Sequence, residues 1–189
     1  MLILVVGDAH IPQRESRIPE EFLSLITSGK IEKVVSVGNV SGTYTQRILK
    51  SIASSNPLTQ VCGEFDTPSS DIPTEQRLVV GNCKIGVVSS YIINPIGDLD
   101  ALTTIARRMD VDILLWGGTH LQDASFCSGY SFINPGSITG SENPGLWNTE
   151  DSNVIPGFCL LEVSDDNRTI YMYQLRNGNI KVTKANLPT

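Results

Sequence analysis

Basic residues are few in this sequence, and they are spread along it. Its 189 residues include 14 Lys plus Arg against 20 Asp plus Glu, which gives a formal net charge of −6. Binding to nucleic acid or to an anionic membrane surface needs a patch of cationic side chains. The sequence therefore predicts no contact with nucleic acid and no direct insertion into a membrane.

Cysteine motifs and long apolar runs are also missing. The four cysteines stand singly within or beside apolar stretches and form no C-x-x-C pair: Cys62, Cys83, Cys127 and Cys159. Zinc knuckles and disulfide frameworks use closely spaced cysteines, so we expect reduced thiols in the core. The apolar run after Met1 ends at Gly7 and is too short for a signal peptide or a membrane span, which favours a cytoplasmic protein.

The apolar content is sufficient for one buried core. With 40% hydrophobic residues, the chain is expected to form a single domain over residues 1–189. In the first half, short apolar runs alternate with helical patterns near residues 19–28 and 43–54, which predicts a β-α-β-α-β unit with parallel strands. In the second half, a Gly81-Asn82 hairpin turn, a helix and further strands predict a mainly antiparallel unit. The expected class is α/β, a two-sheet sandwich flanked by helices.

Two helical faces and one loop can be specified further. Tyr44, Ile48 and Ile52 recur every four residues, which predicts a buried stripe on the second helix. Asp98 is placed to cap the third helix, whose apolar face is predicted to contain Leu99, Leu102, Ile105, Ala106 and Met109. Residues 136–157 are rich in Gly, Ser, Asn and Pro, which predicts a long surface loop.

Residues of metal-binding type follow several of the predicted strands. Asp8 and His10 follow the first strand, Asn39 the second, Glu64 the third and His120 a later one. Because strand ends of this kind meet at one edge of an open α/β sheet, we expect these side chains to lie together. Taken singly, each of these residues has an ordinary explanation, as part of a turn or, for a histidine, as a structural residue. Together, and with glycine beside four of the five, they favour a site for an ion pair and a phosphate.

This order of motifs resembles the calcineurin-like metallophosphoesterases. Their pattern is D-x-H, G-D, G-N-H-D/E, an isolated His and G-H-x-H, and the resemblance covers nearly the whole chain. It is closest to the retromer-subunit branch of that family, through GDAHIP, GKIEKVVSVGN, GEFD, KIGVVSS, DVDILLWGGTH, INPGSITG and MYQL. The resemblance implies a metallophosphoesterase-like fold of α-β-β-α layers.

The resemblance also implies that half of a two-metal site is lost. Asp8, His10, Asn39 and His120 would surround the first ion, with Asn39 in place of a bridging aspartate. The positions that depart from the family pattern are Glu64 for an asparagine ligand, Phe65 for the histidine that protonates or orients phosphate, Ser89 for the isolated histidine, and Gly118 for the first histidine of G-H-x-H. The second ion site is therefore expected to be empty.

These departures predict a degenerate enzyme. Two-metal hydrolysis uses both ions to stabilise the transition state. Loss of one ion, and of the family's histidine at the position that Phe65 occupies here, therefore removes several kcal/mol of transition-state stabilisation. We expect no useful phosphoesterase activity and no required cofactor. One weakly held divalent cation, Zn or Mn, at the first-ion residues with Glu64 as a further carboxylate is one alternative, and a purely hydrogen-bonded cluster is another. A working metal-dependent phosphodiesterase or phosphatase is the competing hypothesis.

For the partner, the resemblance implies the end of the vacuolar protein sorting 35 α-solenoid in the retromer coat. Such a scaffold would be cytoplasmic and recruited to the endosomal membrane surface, where the coat sorts cargo for retrograde transport to the Golgi. The candidate contact is the loop of residues 91–96, with Ile93, Asn94 and Ile96. Asn94 stands where the family has an apolar residue, which leaves the local contact open.

A second partner surface is implied for regulatory proteins. Alternation along the strand places Tyr171 and Tyr173 on one side. The resemblance maps them, together with Leu2, Leu25 and Leu160, onto an apolar patch, and exposed patches of this kind mark interfaces. Burial of Leu2 and Leu160 in the core is the alternative, since apolar strand residues are usually buried.

Overall fold

The computed structural model describes residues 1–53, 56–66, 71–143 and 154–189. Within these ranges the chain forms the helices α1 to α3 and the strands β1 to β11. In chain order they are β1 (Leu2–Val6), α1 (Glu20–Ile26), β2 (Lys33–Ser36), α2 (Thr43–Ile52), β3 (Thr59–Gln60), β4 (Glu75–Val80), β5 (Cys83–Val88), α3 (Leu99–Met109), β6 (Ile113–Leu115), β7 (Gln122–Cys127), β8 (Tyr130–Pro135), β9 (Gly157–Val163), β10 (Arg168–Arg176) and β11 (Asn179–Leu187).

The strands form two sheets. The first has the order β11-β10-β9-β1-β2-β3, and the second has the order β4-β5-β6-β8-β7. The pairs β1–β2, β2–β3, β5–β6 and β6–β8 are parallel, so the carboxyl ends of β1, β2 and β3 share one edge, as do those of β5, β6 and β8. The predicted Gly81-Asn82 turn joins β4 to β5, where Val80 pairs with Cys83.

The core lies between the sheets and under the helices. Apolar side chains of both sheets, such as Val5, Ile85 and Leu161, are fully buried in the central cluster. A second cluster contains Phe22 of α1 and Leu49 of α2 against the first sheet, and a third contains Leu102 of α3 against the second sheet. The layers therefore run α-β-β-α, and the predicted α/β sandwich is confirmed.

Three details of the predicted elements differ in the structure. The predicted stripe of Tyr44, Ile48 and Ile52 packs against the core but is only half-buried, and Leu49 is the fully buried apolar residue of α2. Leu99 is 41% exposed, since it occupies the first turn of α3 beyond the covered sheet. Strand β7 was missed, because its alternation of polar and small residues is a weak strand signal.

The prediction of a surface loop over residues 136–157 was also wrong for its first part. Ser137 and Ile138 are buried, and the Ile138 amide donates to the Gly7 carbonyl at 3.1 Å. The loop therefore packs against the end of β1, where its polar groups find partners. The prediction for residues 144–153 lies outside the described residues.

The cysteines are all free thiols, with Cys83 and Cys159 buried and Cys62 and Cys127 half-buried. Burial raises the pKa of Cys83 to about 11, so this thiol is protonated and unreactive at neutral pH. Among the described residues, every helix is too short or too polar to cross a membrane.

Candidate functional site

Three metal-binding side chains meet where β1 and β6 end. The two Nε2 atoms of His10 and His120 are 3.1 Å apart. Each lies 3.9 Å from Oδ1 of Asp8. All three residues are buried, and their ligand atoms lie within 4.8 Å of one another. The structure thus assembles a compact group of two imidazoles and one carboxylate from residues 110 positions apart.

The backbone at this group is held in an unusual conformation. Asp8 and His10 have φ of 48°, and Asn39 and His120 have φ of 58° and 63°. This left-handed region costs a residue with a β-carbon about 1 kcal/mol or more, and such residues persist only where surrounding contacts enforce them. Strain concentrated in this way is typical of functional sites.

Asp66 supplies part of that enforcement. Its buried carboxylate accepts hydrogen bonds from the amides of Asn39 and Gly63 at Oδ2 and from the Ser41 amide at Oδ1, each at 2.8 Å. These bonds join the loops that follow β2 and β3. This role of Asp66 was not predicted from the sequence, although an acid directly after the Gly63-Glu64-Phe65 turn was a signal for it.

The INPGSITG segment supplies the rest. Ser137 Oγ donates to the carbonyl of Asp8 at 2.7 Å, and Thr139 Oγ1 donates to the carbonyl of Ala9 at 2.9 Å. The Nδ1–H of His120 donates to the Ser141 carbonyl at 2.6 Å. That bond places the His120 proton on Nδ1 and leaves its Nε2 lone pair facing His10, as in outer-shell partners of metal-bound histidines.

Asn39 is oriented away from ligation. Its Nδ2 donates to Oδ1 of Asp8 at 2.8 Å, and its Oδ1 accepts the Phe65 amide at 2.9 Å. Since a backbone N–H can only donate, the amide oxygen must face Phe65 and the nitrogen must face Asp8. The structure therefore places Asn39 as a residue that orients Asp8, where the sequence predicted a fourth ligand.

The protonation of the group follows from burial. Burial raises the pKa of Asp8, while His120 and the Asn39 hydrogen bond act in the opposite direction. Burial, with His120 and Arg14 nearby, lowers the pKa of His10 to about 3. His10 is therefore a neutral imidazole at pH 7, which is the form that binds metal ions.

This geometry fits one divalent cation. A separation of 3.1 Å between the His10 and His120 Nε2 atoms suits two imidazoles on one zinc ion, whose bonds to nitrogen are about 2.0–2.1 Å. Unlike the Nδ1 of His120, the buried Nδ1 of His10 has no hydrogen-bond partner among the described residues, so His10 lacks the outer-shell support that His120 has. Asp8, His10 and His120 would hold the ion and leave a coordination position open.

The second half of the site is closed by the backbone. Gly118 has φ of +93°, and its amide donates to Oδ2 of Asp8 at 2.9 Å. A β-carbon added at Gly118 would lie 2.5 Å from the β-carbon of Ser90. Ser89 is buried, and its Oγ accepts the Tyr91 amide at 3.3 Å, where the family pattern has a histidine ligand. Neither position offers a ligand to a second ion.

Phe65 and Arg14 cover the intact half. The ring of Phe65 meets that of His10 edge-on at 5.1 Å, and the Arg14 guanidinium lies 4.5 Å above the Phe65 ring. Arg14 also donates to the Glu142 carbonyl at 2.6 Å. The Glu64 side chain is exposed and does not join the Asp8, His10 and His120 group, so it is not placed as the further carboxylate that the sequence predicted.

In the loop at residues 91–96, one residue that was expected to contact a partner is buried. Ile93 is only 4% exposed, because it packs in the cluster beneath α3. Ile96 is half-buried and Asn94 is exposed, whereas Tyr91 is 56% exposed. Tyr91 is therefore the accessible apolar side chain of this loop, and Ile93 is not.

The five residues of the expected apolar patch lie together on the opposite side. Leu2, Leu25, Leu160, Tyr171 and Tyr173 line a groove of about 440 Å³ between α1 and the outer face of the first sheet. Leu2 and Leu160 are half-buried, so they form the groove and are not sealed in the core. Its floor includes the Tyr173 ring, which stacks on Phe158 with centroids 4.6 Å apart.

The chain matches a known protein family. Residues 1–166 match the calcineurin-like phosphoesterase superfamily domain. Vacuolar protein sorting-associated protein 29 of Schizosaccharomyces pombe is 38% identical over 184 residues, which cover 97% of this chain and 96% of that protein. The chain belongs to the vacuolar protein sorting 29 family of these phosphoesterases.

Two solved structures extend the comparison. Vps29 of Entamoeba histolytica complexed with Zn²⁺ is 36% identical, with a TM-score of 0.87 over 98% of this chain and 99% of that one. Vps29 of Chaetomium thermophilum complexed with the cyclic peptide RT-D3 is 34% identical, with a TM-score of 0.77 over 99% and 95% of the two chains. Both share the fold described above.

Proposed function

We propose that this chain is a non-catalytic scaffold subunit of the retromer coat. It binds the end of the vacuolar protein sorting 35 α-solenoid and regulatory proteins in endosomal cargo sorting and retrograde transport. The observation that carries the proposal is the backbone at Gly118, where a histidine side chain has no room. The family's fold is kept, while the second metal site is closed.

The proposed absence of catalysis follows from the missing groups. A bound divalent ion would polarise a water molecule, but a second ion is needed to clamp the leaving and attacking oxygens. Phe65 offers no proton and covers His10 with its ring. The group of Asp8, His10 and His120 keeps phosphodiester hydrolysis as the alternative, and a turnover assay with Mn²⁺ distinguishes the two.

The solenoid is proposed to dock at the metal end of the sandwich. Four large apolar side chains are exposed around that end, at 41% to 56% of their surface: Phe65, Tyr91, Leu99 and Leu121. Exposed apolar groups clustered in this way mark protein interfaces. Asn94 and Ile96 lie at the rim of this docking face, and Ile93 supports it from below.

Replacing Tyr91 with aspartate is expected to weaken capture of full-length vacuolar protein sorting 35 at least tenfold. The change places a charge at the most exposed apolar residue of the docking face, and burying an unpaired charge in an interface is costly. Titration calorimetry with the two purified proteins measures the dissociation constant.

The matched control is Val79→Asp. Val79 is 63% exposed on β4 and pairs with Lys84 at the opposite end of β5, away from Tyr91. It should leave the affinity within twofold. Equal affinities for the wild type and both variants would remove residues 91–96 from the proposed interface.

Regulatory proteins are proposed to bind the apolar groove. Its volume of about 440 Å³ and its stacked aromatic floor suit a few apolar side chains from a short segment. The Tyr171 hydroxyl donates to Oε2 of Glu162 at 3.0 Å, which places a polar group at the rim. A preformed groove of this kind binds a peptide without first reorganising.

A Leu160→Glu variant should lose at least a hundredfold in affinity for the cyclic peptide RT-D3. The added carboxylate would have to be desolvated within the apolar groove whenever the peptide binds. Fluorescence anisotropy with a labelled peptide gives the affinity. Leu99→Glu, at the docking face, is the control and should bind the peptide as the wild type does. A loss of affinity in Leu99→Glu alone would show that the peptide binds at the docking face and not in the groove.

The proposed location follows from these partners. The chain would be cytoplasmic and would reach the endosomal membrane surface only as part of the coat, through the solenoid. Its net charge of −6 disfavours direct adhesion to anionic lipid.

A further inference from the structure

The docking face at the metal end carries an acidic rim, which identifies the chemistry of its partner. We propose that the solenoid end that docks there presents basic side chains around an apolar centre. This inference rests on the proposed function, because it concerns the same face. It adds the charge of the partner surface and the electrostatic origin of the association rate.

Three of the four exposed apolar residues of the face have acids beside them. Leu99 stands between Asp98 and Asp100 at the start of α3. Phe65 follows Glu64 directly. Burial raises the pKa of Tyr91, and the nearby Cys62, Glu64 and Asp66 raise it further, which places this phenol in an electronegative surrounding.

Two more acidic residues belong to the loops beside the Phe65 ring. Arg14 lies over that ring and binds the carbonyl of Glu142, and Glu15 follows Arg14 in the chain. Glu15 is in the same loop as His10, since its amide donates to the His10 carbonyl at 3.2 Å. The acidic rim therefore consists of Glu15, Glu64, Asp98, Asp100 and Glu142.

None of these five carboxylates forms an ion pair within the part of the chain that the structure describes. The cations nearby are already engaged: Arg14 stacks on Phe65, and Arg17 pairs with Glu20 at 3.0 Å. The acidic rim thus gives the surroundings of the apolar centre a negative electrostatic potential. A partner with the same charge would be repelled, whereas a basic one is attracted over several ångströms.

Charge of this kind acts mainly on the rate of association. Exposed charges at the rim of an interface steer the encounter and contribute little to the lifetime of the complex. Salt screens them, because the Debye length falls from about 14 Å at 50 mM to about 4 Å at 500 mM ionic strength. The association rate with full-length vacuolar protein sorting 35 should therefore fall at least tenfold between these two salt concentrations.

The test compares two charge reversals that change the net charge equally. Glu64→Lys with Asp100→Lys alters the acidic rim, and neither side chain makes a hydrogen bond in the described residues. Asp165→Lys with Asp166→Lys alters the β9–β10 turn, at the opposite end of the sandwich where Leu2 pairs with Glu162. Stopped-flow fluorescence with the purified solenoid subunit gives association and dissociation rates at both salt concentrations.

The expected result is a tenfold or larger loss of association rate at 50 mM salt for the rim pair alone, with dissociation within threefold. Equal slowing by both pairs would mean that only the net charge matters and would overturn the inference. Faster association by the rim pair, or no salt dependence, would also overturn it while leaving the proposed function intact. No binding by the wild-type chain would instead contradict the proposed function.

Discussion

A Gly118→His variant is expected to lose about 2–4 kcal/mol of the free energy of unfolding and to gain no second metal ion. The left-handed φ of +93° costs a residue with a side chain about 1 kcal/mol relative to glycine. The new β-carbon would lie 2.5 Å from that of Ser90, and overpacking of this kind costs about 1–3 kcal/mol more. Urea unfolding followed by circular dichroism measures the loss.

Two companion variants separate the causes. Gly129 has φ of +86° with no atom within 4 Å of an added β-carbon, so Gly129→His carries the backbone cost without the overlap. Adding Ser90→Gly to Gly118→His should recover part of the stability, because it removes the atom that is overlapped. A Gly118→His protein as stable as the wild type would show that the loop yields and that the second site is open.

The purified chain should bind about one zinc ion, and Asp8→Ala should lower the affinity at least a hundredfold. Outer-shell partners of metal ligands are each worth about 10- to 100-fold in affinity, and Asp8 supplies the one carboxylate of the buried group itself. Asp123→Ala, on strand β7, is the matched control and should bind zinc as the wild type does. Metal analysis after dialysis and competitive titration with a chelating dye provide the stoichiometry and the affinity.

The same proteins decide the question of catalysis. With Mn²⁺ and bis(p-nitrophenyl) phosphate, the wild type should release p-nitrophenol no faster than Asp8→Ala. Two ions per chain, with turnover that depends on Asp8, would contradict the scaffold proposal and establish the phosphodiesterase alternative.

The sequence was enough to predict which residues lie together at the site, but not the role of each residue. Asp8, His10 and His120 stand at strand ends, and parallel strands bring such ends to one edge. The role of Asn39 depends on the Phe65 amide, 26 residues away, which fixes the direction of its side-chain amide. No spacing in the sequence records that hydrogen bond.

The loop predictions failed where local composition disagreed with distant partners. Ser137 and Thr139 read as surface loop residues, yet their hydroxyls bond carbonyls about 130 positions earlier in the chain. Ile93 was expected to be exposed because it lies in a loop, but that loop turns it under α3. The high exposure of Tyr91 and the hydrogen bonds of Asp66 were not predicted for the same reason, since exposure and hydrogen bonding are tertiary properties.

The bonds from residues 137–141 to the end of β1 also determine when the site is complete. A nascent chain that has left the ribosome as far as His120 carries Asp8 and both histidines but lacks the serine and threonine groups that hold them. The candidate metal group therefore gains these hydrogen bonds only once residues 137–141 have been made, and those residues follow the strands of the second sheet in the chain. An ion bound earlier, by the emerging chain, would be held without these hydrogen bonds.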